Sequence, residues 1–472
     1  MNYQEAVLSE ETGWILMVLL GIFWIGLGAY WGRKSKTLDD YMLAGRNVGL
    51  ALGTATVMAT WITSNTTMLA PQFAIQMGIW GLIAYSTASI GLLLFAPMAR
   101  RIRHLMPKGF TSGDFVYMRY GRSTWILFLL ISIFYSITWL VSMGMAGGIL
   151  LNSLTGISYQ YGVTAILLVC VLYTLLGGLY AVIGTDYFQS VIILIGIVVI
   201  GVTVLFQLDI NKIYTDISQE QPSLLYLFFP PALMALFNNL LFGVGEITHS
   251  NVWWSRAFAM GKGIGQRAYS LAGILWVPIP IAAGFIALSS GSLGINVISP
   301  DMIGPTVASK VLGYYGAISV FVVIFCSLAS SIDSLLAATS DLITEDIYRK
   351  LLNPKADERS LKKVSASVIV LLGLFTWTVC LPKIGTLATV LFFAGPMVGS
   401  TIWPIITGIY WKRAGFMGAF WGMFLGTGSG LVAYFVLGWY TATLIGTGVS
   451  MIVVCVFTYL FPDNFEWKNL SK

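Results

Sequence analysis

The run Ser327-Leu328-Ala329-Ser330-Ser331-Ile332-Asp333-Ser334 places four hydroxyls and one carboxylate inside an otherwise apolar stretch. On a helix, Ser330, Asp333 and Ser334 fall at i, i+3 and i+4 on one face, with Ser327 and Ser331 on an adjoining strip. Such a cluster offers several oxygens within a few ångströms, which suits a hard monovalent cation such as sodium. The competing reading is a hydroxyl-lined seam between packed helices, but a seam needs no carboxylate.

Three further ionisable groups fall in apolar stretches: Asp186, Glu246 and His249. Each costs at least about 2.5 to 3.5 kcal/mol at the centre of a bilayer, so each asks for a partner or a task. No Lys or Arg is expected in the interior of a span, and acids without basic partners suit the binding of cations or protons. Glu246 and His249 are spaced i, i+3. They can form a proton-accepting pair, contact a solute, or hydrogen-bond to steady a broken helix.

These groups need elements to position them, and composition says which. The 472 residues are 57% hydrophobic and 10% charged, with mean hydropathy +0.82, whereas a soluble domain carries about 25% charged residues. Apolar runs of about 20 residues recur, each long enough to span a hydrocarbon core. The reading is an all-α membrane protein with thirteen transmembrane helices. Residues 48–77, 161–182, 230–254 and 315–339 supply the second, fifth, seventh and ninth spans.

Basic residues collect in short cytoplasmic loops. With the N-terminus outside and the C-terminus cytoplasmic, all of the 26 Lys and Arg residues except Lys212, Lys310 and Lys383 fall on the cytoplasmic side, Arg256 among them. The net charge of +6 then reflects topology in an inner membrane and not nucleic-acid binding. Residues 1–12 hold Glu5, Glu10 and Glu11 but no basic segment, so no cleavable signal peptide is expected. Cys170, Cys326, Cys380 and Cys455 lack metal-ligand spacing and read as small core residues.

Two spans carry a polar interruption: Thr60-Trp61-Ile62-Thr63-Ser64-Asn65-Thr66-Thr67 in the second and Gly243-Val244-Gly245-Glu246-Ile247-Thr248-His249-Ser250-Asn251 in the seventh. With the first span set aside, these are the first and sixth helices, so corresponding helices of two five-helix halves are broken. Five is odd, and the second half must enter the membrane from the opposite side. Broken helices meeting in mid-bilayer expose backbone groups that can hold an ion and a polar solute. Back-bonded hydroxyls and close-packed glycines are the plainer alternative.

Three segments carry a resemblance to the sodium:solute symporter family. Asp40-Tyr41-Met42-Leu43-Ala44-Gly45-Arg46 is similar to that family's first cytoplasmic loop, the run from Gly177 through Asp186 to Gln189 resembles its "GG..AV..TD..Q" signature, and Ile343-Thr344-Glu345-Asp346-Ile347-Tyr348 resembles the end of its eighth core helix. The resemblance implies a LeuT-like 5+5 inverted repeat: an extra N-terminal helix at 1–36, repeats at 48–208 and 229–411, and two further helices at 414–461. It implies a sodium site from the carbonyls of Ala59, Ile62 and Ser327 with the hydroxyls of Ser330 and Ser331. A second sodium or proton site would use Asp186, Ser330, Asp333 and Ser334, with Asp333 departing from the serine seen in sialic-acid transporters.

The solute pocket implied by the family falls on Trp61, Thr63, Asn65, Thr66, Tyr85, Trp139, Glu246 and His249. The third core helix carries no Arg for an anionic sugar, and Met58-Ala59-Thr60-Trp61 and the run 250–257 look more like the urea-transporting branch. The resemblance therefore implies a sodium-driven importer of a small neutral polar solute, urea- or amide-like, with no catalytic residue and no obligate protein partner. Proline or another small amino acid, a vitamin, a nucleobase, proton coupling, a passive channel and a transporter-like sensor are the alternatives.

Overall fold

The computed structural model describes residues 6–471; Glu5, and Lys472 among the basic residues assigned above to the cytoplasmic side, lie outside the described residues. The described chain is helical apart from one isolated bridge, Val48 to Met260. The helices are α1 (Glu10–Gly32), α2 (Leu38–Leu43), α3 (Leu50–Trp61), α4 (Ser64–Ser86), α5 (Ser89–Leu105), α6 (Ser112–Tyr120), α7 (Arg122–Thr155), α8 (Tyr159–Leu175), α9 (Gly178–Gln207) and α10 (Ile210–Glu220). There follow α11 (Pro230–His249), α12 (Asn251–Ala259), α13 (Ile264–Trp276), α14 (Pro278–Ala287), α15 (Ile303–Leu342), α16 (Glu358–Cys380), α17 (Leu387–Phe393), α18 (Gly395–Tyr410), α19 (Phe416–Val436) and α20 (Trp439–Leu460).

Among the described residues, ten helical stretches are long and apolar enough to cross a membrane by length and composition. The expected second, fifth and seventh spans are not among them. The second is divided at Ile62, so that only its part from Ser64 onward lies in a counted stretch; the seventh is divided at Ser250, and its longer piece, α11, has 20 residues but carries Asn238, Asn239 and Glu246; α8 has 17 residues. Exposed Leu, Ile, Val and Phe side chains on α1, α9, α16 and α19 face outward, as lipid contact demands.

The first break has a local cause. Thr63 and Thr66 form a capping box, each side chain accepting from the other's amide. The Thr63 N–H that an unbroken helix would send to the Ala59 carbonyl is thereby diverted, and Ile62 takes a non-helical conformation. At the second break Ser250 is extended, and its hydroxyl accepts from the Val252 amide.

Gly243 and Gly245, expected to unwind, stay helical. They serve close packing instead: a Cβ on Gly243 would lie 2.6 Å from the Ala88 Cα, and one on Gly245 2.7 Å from the Val398 carbonyl. Gly78 does turn the chain, at φ 64, where the Leu224 backbone leaves no room for a side chain. The long α15 lies against α9, α7, α4 and α3, which brings its serine-rich face onto the first break.

Candidate functional site

Ser330 and Ser331 meet the end of α3. The Ser330 hydroxyl is 2.9 Å from the Ala59 carbonyl and 3.1 Å from that of Ser327; the Ser331 hydroxyl is 3.2 Å from the Thr60 carbonyl and 2.9 Å from that of Ser327. Ala59, Ile62, Ser327 and Ser330 are wholly buried and Ser331 nearly so. Two hydroxyls and carbonyls from an interrupted helix end make an all-oxygen environment of the kind that hard monovalent cations take. No group of three or more His, Cys, Asp or Glu side chains able to hold a metal ion occurs among the described residues.

One turn away lies a second polar cluster. Asp186 on α9 is paired at 3.2 Å with Arg256 on α12, and both side chains are fully closed off from solvent. The guanidinium also donates to Thr56 (3.0 Å), Thr60 (2.8 Å) and Ser334 (2.6 Å). Asp333 Oδ1 is 3.2 Å from the Ser334 hydroxyl, while Asp333 Oδ2 and Asp186 Oδ1 have no hydrogen-bond partner among the described residues. This corrects two expectations: Arg256 is not a loop residue exposed to the cytoplasm, and one of the buried acids, Asp186, has a basic partner, while Glu246 and Asp333 form no ion pair among the described residues. Burying a lone carboxylate is so costly that α12 delivers an arginine to it.

The expected solute-pocket residues gather around the two breaks, none more than 6% exposed. Trp61 stacks against Trp139 (6.1 Å) and meets Trp253 edge-on (5.4 Å) and Trp276 at a tilt (5.8 Å), with Tyr85 beside Trp276. The Glu246 carboxylate accepts from the Tyr135 hydroxyl and, at 2.8 Å, from Trp253 Nε1. Glu246 and His249 do not pair: His249 turns to Phe128 and Tyr135, and neither of its nitrogens has a hydrogen-bond partner among the described residues. Trp61 Nε1 and Asn65 Nδ2 likewise have no partner among the described residues, while Asn65 Oδ1 accepts from Ser142 at 3.2 Å. Thr63 and Thr66 are spent on the capping box, so they shape the break and present little to a solute.

Sequence reasoning missed Tyr135, Ser142, Trp253 and Trp276. Tyr135 was findable, since it lies four residues before Trp139 on one helix face. Trp276 carried no signal, because its role arises from Nε1 donating to the Trp61 carbonyl freed by the break, 215 positions away.

The pocket is covered at both ends. Toward the start of α11, Phe242 stacks on Trp139 at 5.7 Å and touches Phe392 at 4.9 Å, which stacks on Phe73 and Trp439. Toward α12, Asn251 accepts from the Ser112 amide at 2.9 Å and donates to the Ala338 carbonyl at 2.8 Å, tying α6, α12 and α15 together.

Residues 41–426 match the model of the sodium:solute symporter family. The urea-proton symporter DUR3 of Oryza sativa subsp. japonica is 25% identical, covering 91% of this chain and 66% of the rice protein, so the chain spans just under two-thirds of that relative. The urea active transporter of Saccharomyces cerevisiae is 24% identical, covering 98% of this chain and 71% of its own. The osmoregulated proline transporter OpuE of Bacillus subtilis is 27% identical, covering 93% and 91%. Among solved structures, the substrate-bound outward-open state of a Na+-coupled sialic acid symporter superposes with a TM-score of 0.75 at 19% identity, covering 96% of this chain and 99% of that one. That likeness shows a shared fold.

Proposed function

The chain belongs to the sodium:solute symporter family, a family of secondary transporters and not of enzymes, and we propose that it couples inward movement of sodium to import of a small neutral polar solute, urea- or amide-like. The observation that carries this is the meeting of Ser330 and Ser331 with the Ala59 and Thr60 carbonyls at the end of a broken helix. Sodium bound there would bridge α3 and α15, so its arrival and departure would bias how the two helices sit. Ala59, Ile62, Ser327, Ser330 and Ser331 are the proposed ligands.

The Asp186, Ser330, Asp333 and Ser334 cluster is the proposed place for a second sodium or a proton. Arg256 already neutralises one of its two carboxylates.

The pocket favours a neutral solute that carries both N–H groups and a carbonyl oxygen. It offers the Glu246 carboxylate as acceptor, unpartnered Trp61 Nε1, Asn65 Nδ2 and His249 nitrogens, and flat indole faces. A solute carboxylate would need a cation, and Arg256 is committed to Asp186. The capping box also uses amides at the start of α4 that would otherwise attract an anion. Proline remains the second reading, favoured by the similarity to OpuE over nearly the full length of both chains.

We place the protein in a cell membrane with its N-terminus outside and C-terminus cytoplasmic, as thirteen spans: an extra helix within 1–36, inverted repeats at 48–208 and 229–411, and two closing helices within 414–461. In proteoliposomes, labelled urea should enter against its gradient under an inward sodium gradient, with acetamide competing and proline not. Accumulation driven equally by a proton gradient without sodium would make this a proton symporter. Flux driven by neither gradient would make it a channel.

A further inference from the structure

At the end of the bundle where α5 leads to α6 and α12 leads to α13, two cavities of about 930 and 670 Å3 adjoin across Arg100 and Gly263. Arg100, Arg101, Arg103, His104, Lys262 and Arg267 line them, and no Asp or Glu does. None of these six makes an ion pair among the described residues, whereas Arg46, Arg119, Arg349 and Lys350 each have a carboxylate partner.

Topology alone explains basic residues on one side of a membrane, but not their convergence on one hollow. Two of the guanidinium groups are also fixed: Arg101 donates to the Ile409 carbonyl at 2.9 Å and Arg103 to that of Pro107 at 2.8 Å, which leaves their remaining N–H groups oriented. From the hollow, α5 and α13 run side by side and present Leu94, 50% exposed, and Ile274, 62% exposed, along with Leu271 and Leu275. A cationic socket that meets exposed apolar side chains at Leu271, which lines the smaller hollow, matches one kind of molecule, an anionic head on acyl chains.

We infer that this socket binds a phosphate ester, the headgroup of an anionic phospholipid whose chains lie along α5 and α13. The socket is built from the start of α3, the end of α5 and the α12–α13 connection, elements attached to both broken helices. An occupied socket would hold them together.

The test titrates the full chain, purified in neutral detergent, with phosphatidylglycerol, phosphatidylcholine, inorganic phosphate and glycerol 3-phosphate, reading bound adducts by native mass spectrometry and the melting temperature. Arg100, Lys262 and Arg267 are exposed, so the R100Q/K262Q/R267Q variant should fold. K355Q/R359Q/K363Q, also exposed, removes the same charge elsewhere.

Phosphatidylglycerol should bind and raise the melting temperature of the wild type and of the charge-matched control. The socket variant should bind it about a hundredfold more weakly. Binding by the lipid alone identifies a lipid site; competition by glycerol 3-phosphate or phosphate at low millimolar concentration identifies a soluble phosphate as an alternative source of the same chemistry. Equal binding of phosphatidylcholine, or equal weakening in both variants, would overturn the inference.

Discussion

The guanidinium of Arg256 lies 3.2 Å from the Asp186 carboxylate, with both side chains wholly buried between α3, α9, α12 and α15. The pair joins the piece of chain after the second break to the helix that flanks the first. It also sets the charge of the cluster: two carboxylates, Asp186 and Asp333, face one permanent cation.

Removing one partner of a buried pair leaves the other uncompensated. Arg256→Gln should therefore destabilise the protein by about 3–5 kcal/mol, and Arg256→Met with Asp186→Leu should recover most of the loss. Thermal unfolding in detergent, followed by tryptophan fluorescence, measures both. An Arg256→Gln protein as stable as the wild type would show that the pair is not closed in the folded protein.

Glu246 is held by Tyr135 and Trp253 with lone pairs left for a solute. Glu246→Gln keeps the volume and removes the charge. It should raise the half-saturating solute concentration about tenfold or more, since hydrogen bonds to charged groups contribute about 1.5–3 kcal/mol, while leaving sodium binding in the absence of solute unchanged. Parallel uptake and sodium-induced thermal-shift measurements separate the two.

Asp40 lies outside the spans, in the short α2. The Thr37 amide, at 3.0 Å, holds its carboxyl below the ordinary value of 3.8, aided by the Thr37 hydroxyl and the Lys36 amide. A depressed carboxyl stabilises the fold above its unfolded pKa, and that contribution is lost as pH falls through the folded value. Asp40→Ala should thus lower stability at neutral pH, toward the small end of about 0.5–2 kcal/mol because the loop is solvated. The difference from the wild type should shrink as pH drops below about 4. Melting temperatures across pH test this, and a pH-independent difference would refute it.

Much of the core geometry was legible from local chemistry. Thr63 and Thr66 announce a helix start three residues apart, so the first break could be read from the sequence, and Ser330, Asp333 and Ser334 of α15, at i, i+3 and i+4, share a face whatever they pack against. What could not be read depends on partners distant in sequence. Arg256 sits near the end of a helix, where a basic residue reads as a loop charge; only the packing of α12 against α3 and α15 reveals that it points inward. Gly243 and Gly245 suggest unwinding by composition, yet the close approach of Ala88 and Val398 makes them packing glycines. Glu246 and His249 have the spacing of a pair, but α7 offers one a hydroxyl and the other an aromatic face, and they part.

The central claim is that Ser330 and Ser331 bind the sodium that drives transport at the end of α3. The direct measurement is sodium-activated solute uptake in proteoliposomes by the wild type and by Ser330→Ala/Ser331→Ala. The account predicts a sodium half-activation concentration at least about tenfold higher in the double variant, equivalent to about 1.4 kcal/mol or more, with the protein still folded. An unchanged sodium dependence would contradict it.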